Sequence, residues 1–267
     1  MLYPHSWIRL ASSRLVGSLL LEIDENDGSQ IEFEITDSGL QTIALRLFRQ
    51  LSAPDVSEIL AAQVAKNLVY LSKKWNKDNT QYIQKPHQGK GGEDSSTAAP
   101  RFNSAFDWAI NRCSAILRNE SRQTKDLLVT KKAIIKYVAF LTSFLETTKL
   151  TEIVSSQLLI PLINISEQEA VVEDSDEETS LPFLATRCME KISSKIGISE
   201  YNILYSNARK VIVERRHERK TKRAQLTLNN PEVAAKRKLK KHMRGREKRK
   251  AEKDENGLYK PKRKKRA

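Results

Sequence analysis

At 267 residues the chain has room for one large domain or two small ones, and its 9 Gly and 8 Pro leave too few turns for a sheet-rich fold. It carries 47 Lys and Arg against 33 Asp and Glu, a formal charge of +14 that is unevenly placed: residues 209–267 hold 25 basic and 7 acidic groups, or +18, and residues 1–208 hold 22 and 26, or −4. No apolar run reaches the ~20 residues of a membrane span, and the opening MLYPHSWIRLASSRLVGSLLLEI lacks the basic head and cleavage site of a signal peptide. Helix-like sequence follows Met1 at once, so the chain reads as beginning inside an architecture rather than at its edge.

In chain order, Pro4 to Leu21 sets Ile8, Ala11, Leu15 and Leu19 on one helical face, with Trp7 and Leu10 beside them. The stretch after it alternates at Ile31, Phe33 and Ile35 like a short strand. A lone strand has nothing to pair with, so a structured loop or weak hairpin is expected. Helices are predicted from Leu40 to Leu51 and from Val56 to Trp75. The short link makes them antiparallel neighbours, with Asp55 as candidate N-cap. Residues 76–103, rich in Gly, Ser and Pro, are expected to be a disordered surface loop; their Gly-Lys-Gly-Gly lacks phosphate-loop spacing. Three apolar stripes follow: Phe106, Ala109, Ile110, Cys113, Ile116 and Leu117; Leu128, Ile134, Ile135, Val138, Leu141 and Leu145; and Ile153, Leu158, Leu162 and Ile165. Pro161 should kink or shorten the third.

Residues 167–179 form an acidic loop, with 7 carboxylates between Glu167 and Glu178; it reads as solvated and a phosphorylation candidate at Ser175 rather than a metal site. A fourth stripe runs through Leu181, Leu184, Cys188, Ile192 and Ile196, and Gly197 is placed to end its helix. Cys113 and Cys188 fall inside these stripes and read as buried free thiols of a reducing compartment. The last stripe, Tyr201, Leu204, Tyr205, Ala208, Val211 and Ile212, continues as Arg215, Arg219 and Lys222. The apolar face stops while helix-favouring residues go on, which predicts a helix that leaves the globule as a cationic rod. Asn229-Asn230-Pro231 breaks it, and a second basic helix is expected from Glu232 to Lys253, followed by a disordered end. Short-linked helix pairs of ~40 residues predict an all-α fold, a HEAT-like α-solenoid with a projecting basic C-terminal helix. Residues 1–208 form its body and 209–267 its tail.

No catalytic constellation, dinucleotide fingerprint or metal-ligand spacing is visible; His5, His87, His217 and His242 pair with nothing at such spacing. No cofactor is expected. Charge as dense as that of the tail faces water or a polyanion, because unpaired ions cost too much to bury. The expected phosphate contacts are Arg215, Arg216, Arg219, Lys220, Lys222 and Arg223 on the rod. On the second helix they are Lys236, Arg237, Lys238, Lys240, Lys241, Arg244, Arg246, Lys248, Arg249 and Lys250. Contact is with the backbone of RNA or DNA and has little base preference, since the tail's one aromatic is Tyr259. Lys236 to Lys241 and Lys262, Arg263, Lys264, Lys265 and Arg266 also resemble nuclear import signals, which makes importin a candidate partner.

Leu2-Tyr3-Pro4-His5-Ser6-Trp7-Ile8-Arg9-Leu10-Ala11, the helix pairs behind it and the lysine-arginine C-terminus together resemble the C-terminal end of one family. It is the very large HEAT-repeat component of the small-subunit processome, associated with the U3 small nucleolar ribonucleoprotein and known as the down-regulated-in-metastasis protein. The resemblance covers essentially all of this chain and a small last part of the family's length. It implies a nucleolar scaffold without catalytic activity. Such a scaffold binds pre-ribosomal RNA and assembly factors during processing of the small-subunit ribosomal RNA precursor, without a small-molecule substrate or membrane contact. The body, slightly acidic, would be a docking surface, and a solenoid lacking its preceding repeat would expose Trp7, Ile8 and Leu15. Two other classes stay open: a protein-interaction module whose tail serves import alone, and an enzyme with a diffuse site.

Overall fold

A computed structural model describes residues 5–25, 36–78, 102, 104–119, 124–168 and 180–255. The loop or weak hairpin expected around 31–35 and the expected disordered end of the chain lie outside the described residues, as do 79–101 of the Gly/Ser/Pro-rich loop and 169–179 of the acidic one. The described residues hold no β-strand. Their helices are α1 (Ser6–Glu25), α2 (Asp37–Leu51), α3 (Glu58–Asp78), α4 (Ala105–Leu117), α5 (Lys125–Leu141), α6 (Thr147–Ile153), α7 (Leu159–Ser166), α8 (Leu181–Ile196), α9 (Ile198–Asn229) and α10 (Pro231–Glu255). The chain divides into a unit of residues 1–208 and a unit of residues 209–267, a boundary that falls inside α9.

Local chemistry starts and stops these helices. Hydroxyls just before the first turn accept from backbone N–H groups that a helix start leaves unpaired: Thr36 from Gly39, Ser57 from Leu60, Ser104 from Asp107, Thr124 from Leu127 and Ser180 from Phe183. The expected cap at Asp55 is thus corrected to Ser57. Asp55 instead takes φ of 57° in the preceding turn, and its N–H donates to Asp126 Oδ2 at 3.2 Å. At the other end of α8, Gly197 takes φ of 102° and closes the helix onto the Ser193 carbonyl at 2.9 Å.

The first unit is a two-row stack. In one row α1 packs on α3, α3 on α5 and α5 on α8; in the other α2 packs on α4, and α4 on α7. Sequence neighbours α2–α3, α4–α5 and α7–α8 pack across the rows, the layout of an α-solenoid. The core lies between the rows: Leu60, Leu68, Leu71, Phe106, Ile110, Ile134, Leu141 and Leu150 are fully buried. The predicted stripes of α4, α5, α7 and α8 are the faces that point inward. Phe48 of α2 meets Trp108 of α4 edge to face, centroids 5.9 Å apart. Ser72 of α3 and Tyr137 of α5 share a buried hydrogen bond of 2.6 Å. Burial pushes the Tyr137 phenol and the Cys113 thiol upward, and the Cys188 thiol up to about 12, so all three stay neutral in the core.

On α1 the exposure expected at Trp7 and Leu15 is seen, while Ile8 is half-buried. The apolar stripe of this helix faces out: Trp7 is 69 %, Leu15 64 % and Leu19 48 % exposed. The buried face is Arg9, Ser13, Gly17 and Leu20, at i, i+4, i+8 and i+11. Gly17 lets α3 come so near that an added Cβ would stand 2.6 Å from Asn67 Oδ1. That approach lets buried Asn67 donate to the Ser13 carbonyl at 2.7 Å. Arg9 donates to the carbonyls of Pro54 and Asp55, tying α1 to the turn before α3. Close backbone approach and hydrogen bonds, rather than greasy area, chose this face.

Pro161 also acts, though not as a break. It has no N–H for the Gln157 carbonyl, and the residues just before it, Val154–Leu158, form a π-helical turn between α6 and α7. The freed Gln157 oxygen accepts from Ser114 Oγ at 2.7 Å and from Arg118 Nη2 at 3.2 Å. Ser114→Ala should therefore cost about 1 kcal/mol, read from urea unfolding of the whole chain, because a part-buried carbonyl loses its better donor.

Candidate nucleic-acid interface

The expected contact residues lie in the second unit, on two helices of different character. Along α9, burial follows the predicted stripe through Ala208 and Ile212, and from Val213 every residue except half-buried Leu226 is exposed. At ~100° per residue, Arg215, Arg216, Arg219, Lys220, Lys222 and Arg223 share an arc of about 160°. Glu214 and Glu218 fall beside that arc, not in it. Lys222 Nζ lies 3.9 Å from Glu218 Oε2 across its edge, between side chains 77 % and 65 % exposed. Such a pair holds its charges loosely, so a denser anion can displace it. Arg209 lies on the same arc, in register with Arg216 seven residues on, yet it was not among the expected contacts. It sits among Ala208, Val211 and Ile212 and so reads as part of the apolar stretch; its heptad relation to Arg216 is the signal that finds it.

α10 has no such face. Lys236, Arg237, Lys238, Lys240, Lys241, Arg244, Arg246, Arg249 and Lys250 are all exposed and point to every side of the helix. Lys248 is helical, but its side chain lies outside the described ones, and Lys262, Arg263, Lys264, Lys265 and Arg266 lie outside the described residues altogether. Pro231 opens α10, its fixed φ suited to a first helical position. Like charges recur four apart at Lys236–Lys240, Arg237–Lys241 and Lys240–Arg244, a spacing that destabilises a free helix. A bound polyanion would remove that repulsion. The two helices can thus neutralise many phosphates, one from a single face and one from all round.

The first unit holds a different basic feature, a groove of ≈ 500 Å³ where α2 and α4 end, lined by Leu45, Phe48, Arg49, Ser52, Arg112, Ala115, Ile116, Arg118 and Asn119. Its arginines answer other needs. Arg118 holds the Gln157 carbonyl, Arg112 lies 5.9 Å from the Trp108 ring centroid, and helix C-termini attract cations. Among the described residues there is no group of three or more His, Cys, Asp or Glu that could hold a metal ion, and no helix long and apolar enough to cross a membrane.

A family model described as small subunit processome component 20 homolog, C-terminal, matches residues 4–255. The chain is 34 % identical over 259 residues to U3 small nucleolar RNA-associated protein 20 of Saccharomyces cerevisiae, covering 97 % of this chain and 10 % of that protein. It is 26 % identical over 239 residues to the protein of the same name from Schizosaccharomyces pombe, covering 88 % of this chain and 9 % of that one. The chain spans about a tenth of the length of these relatives.

Proposed function

Because this chain belongs to the family of small subunit processome component 20, as its C-terminal part, we propose that it acts as a non-catalytic scaffold of small-subunit ribosome biogenesis in the nucleolus. The helix pairs of the first unit serve as HEAT-like repeats that dock assembly factors. The tail lies against precursor ribosomal RNA, which it holds by phosphates. The observation that carries this reading is the exposure of every described cation after Arg209 on α9 and α10. Ions left in water on two consecutive helices, with one arc free of carboxylates, suit a partner that brings many negative charges in a row. The relatives' names tie those proteins to a small nucleolar RNA, which favours RNA over DNA as that polyanion.

Importin binding by Lys236 to Lys241 and by Lys262 to Arg266 is compatible with the same role, since import and RNA contact happen at different times. The experiment that separates them replaces the basic residues of 209–267 by glutamine and fuses an unrelated nuclear targeting sequence. With import restored, the altered protein should still fail to co-sediment with precursor particles and to crosslink to precursor RNA. Full recovery of both would leave import as the tail's one task and defeat the RNA reading.

A further inference from the structure

Sorting the charges of the first unit by row exposes an asymmetry that its net charge of −4 conceals. Among described residues, α3, α5 and α8 of one row carry 11 Lys and Arg, of which Lys131 is buried, against 4 Asp and Glu. In the opposite row, α2, α4, α6 and α7 carry 4 against 3. α1 shares the first row but has two arginines against three carboxylates, and its Arg9 is buried, so the basic ridge begins at α3.

The ridge is densest on α8. Arg187, Lys191 and Lys195 stand four residues apart, steps of about 6 Å along one side of the helix. With Thr142, Glu190 and Ser194 they line an open groove of ≈ 490 Å³. The hydroxyls of Thr142 and Ser194 donate back to the carbonyls of Ala139 and Glu190, so the three cations are the groove's donors toward a ligand. No described carboxylate forms an ion pair with any of the three, Glu190 included. On neighbouring α5 Lys136 is exposed, and on α3 Lys66 stands in solvent beside the Tyr70 ring. Helix axes packed 8–10 Å apart carry the ridge across roughly 20 Å.

We propose that this face of α3, α5 and α8 is a second RNA-binding surface, contacting the sugar-phosphate strand independently of the tail. The composition of the ridge favours a nucleic acid over an acidic protein. Nine of its ten solvent-accessible cations are lysine, which acts as a point charge on phosphates and is depleted in protein–protein interfaces. Phe140 on α5 and Phe183 on α8 are exposed large aromatics, the ring type on which unpaired bases stack.

The test uses the full chain with its tail intact and a uridine homopolymer as probe. The variant K136Q/R187Q/K191Q/K195Q should lower the slope of log affinity against log salt by about 3, at ~0.7 for each phosphate no longer neutralised. K136R/R187K/K191R/K195R should keep the slope. Ultraviolet crosslinking of the unaltered chain should mark peptides of α5 and α8 as well as the tail, a readout that needs no substitution. An unchanged slope in a variant whose helical circular dichroism is intact overturns the proposal, as does a crosslink map confined to residues 209–267. Loss of binding to polyglutamate with RNA binding unaltered would assign the ridge to an acidic protein and overturn it equally. A tail variant that alone loses slope leaves the proposed function standing and sinks the ridge; a ridge variant that alone loses slope does the reverse.

Discussion

Replacing Arg215, Arg216, Arg219, Lys220, Lys222 and Arg223 together by glutamine flattens the salt dependence of RNA binding by about 4 in log–log slope. Each cation that neutralises a phosphate on a single strand releases condensed counterions, worth ~0.7 of slope apiece. Between 50 and 200 mM salt these six alone account for roughly 300-fold of the affinity that the unaltered chain loses. Because the contacts are with phosphates, the unaltered chain should bind uridine and cytidine homopolymers within a few-fold of each other, and Arg→Lys replacements should keep the slope. Filter binding across a salt series reads all three. A slope that survives glutamine substitution would mean that the arc on α9 faces water in the complex, and the functional reading would lose its support.

Leu60→Ala should cost about 2–5 kcal/mol, against no more than about 0.5 kcal/mol for Leu15→Ala, in urea unfolding of the whole chain. Leu60, on α3, is fully enclosed between the rows, and truncating it opens a cavity among side chains that relax only in part. Leu15, on α1, is 64 % exposed and gives up little burial with its branches. Leu15 falls in the predicted apolar stripe of its helix, so the pair asks whether periodicity or packing decides burial. Equal losses would show that α1 is turned with its leucines inward, contrary to the hydrogen bonds of Arg9 and Asn67.

How far the chain could be read in advance differs from helix to helix. On α4, α5 and α8 the apolar stripe and the buried face coincide, because those helices meet neighbours on leucine, isoleucine and phenylalanine. On α1 they are opposed. Ser13 and Gly17 are chosen for their small size and for the bond with Asn67, and no scale of hydrophobicity ranks that as a reason to be buried. Pro161 was visible as a disturbance, but the donors that relieve it, Ser114 and Arg118, lie some forty residues earlier and meet Gln157 through the stacking of α4 on the π-helical turn.

The candidate interface was legible to a similar degree. Its charge, its helical character and its break at Asn230 follow from composition, local propensity and one proline. The arc on α9 follows from 3.6 residues per turn.

What residue order alone determined is therefore what acts over one or two turns: where helices start at a hydroxyl, where they stop at Gly197, and that 25 cations in the final stretch must face water or a polyanion. Tertiary structure decided which side of α1 is covered and which helices stand side by side in a row. Those outcomes depend on contacts between residues tens of positions apart, where closeness of backbones and pairing of distant polar atoms outweigh the preference of any single segment. The lysines of α3, α5 and α8 become one surface only once those helices are stacked.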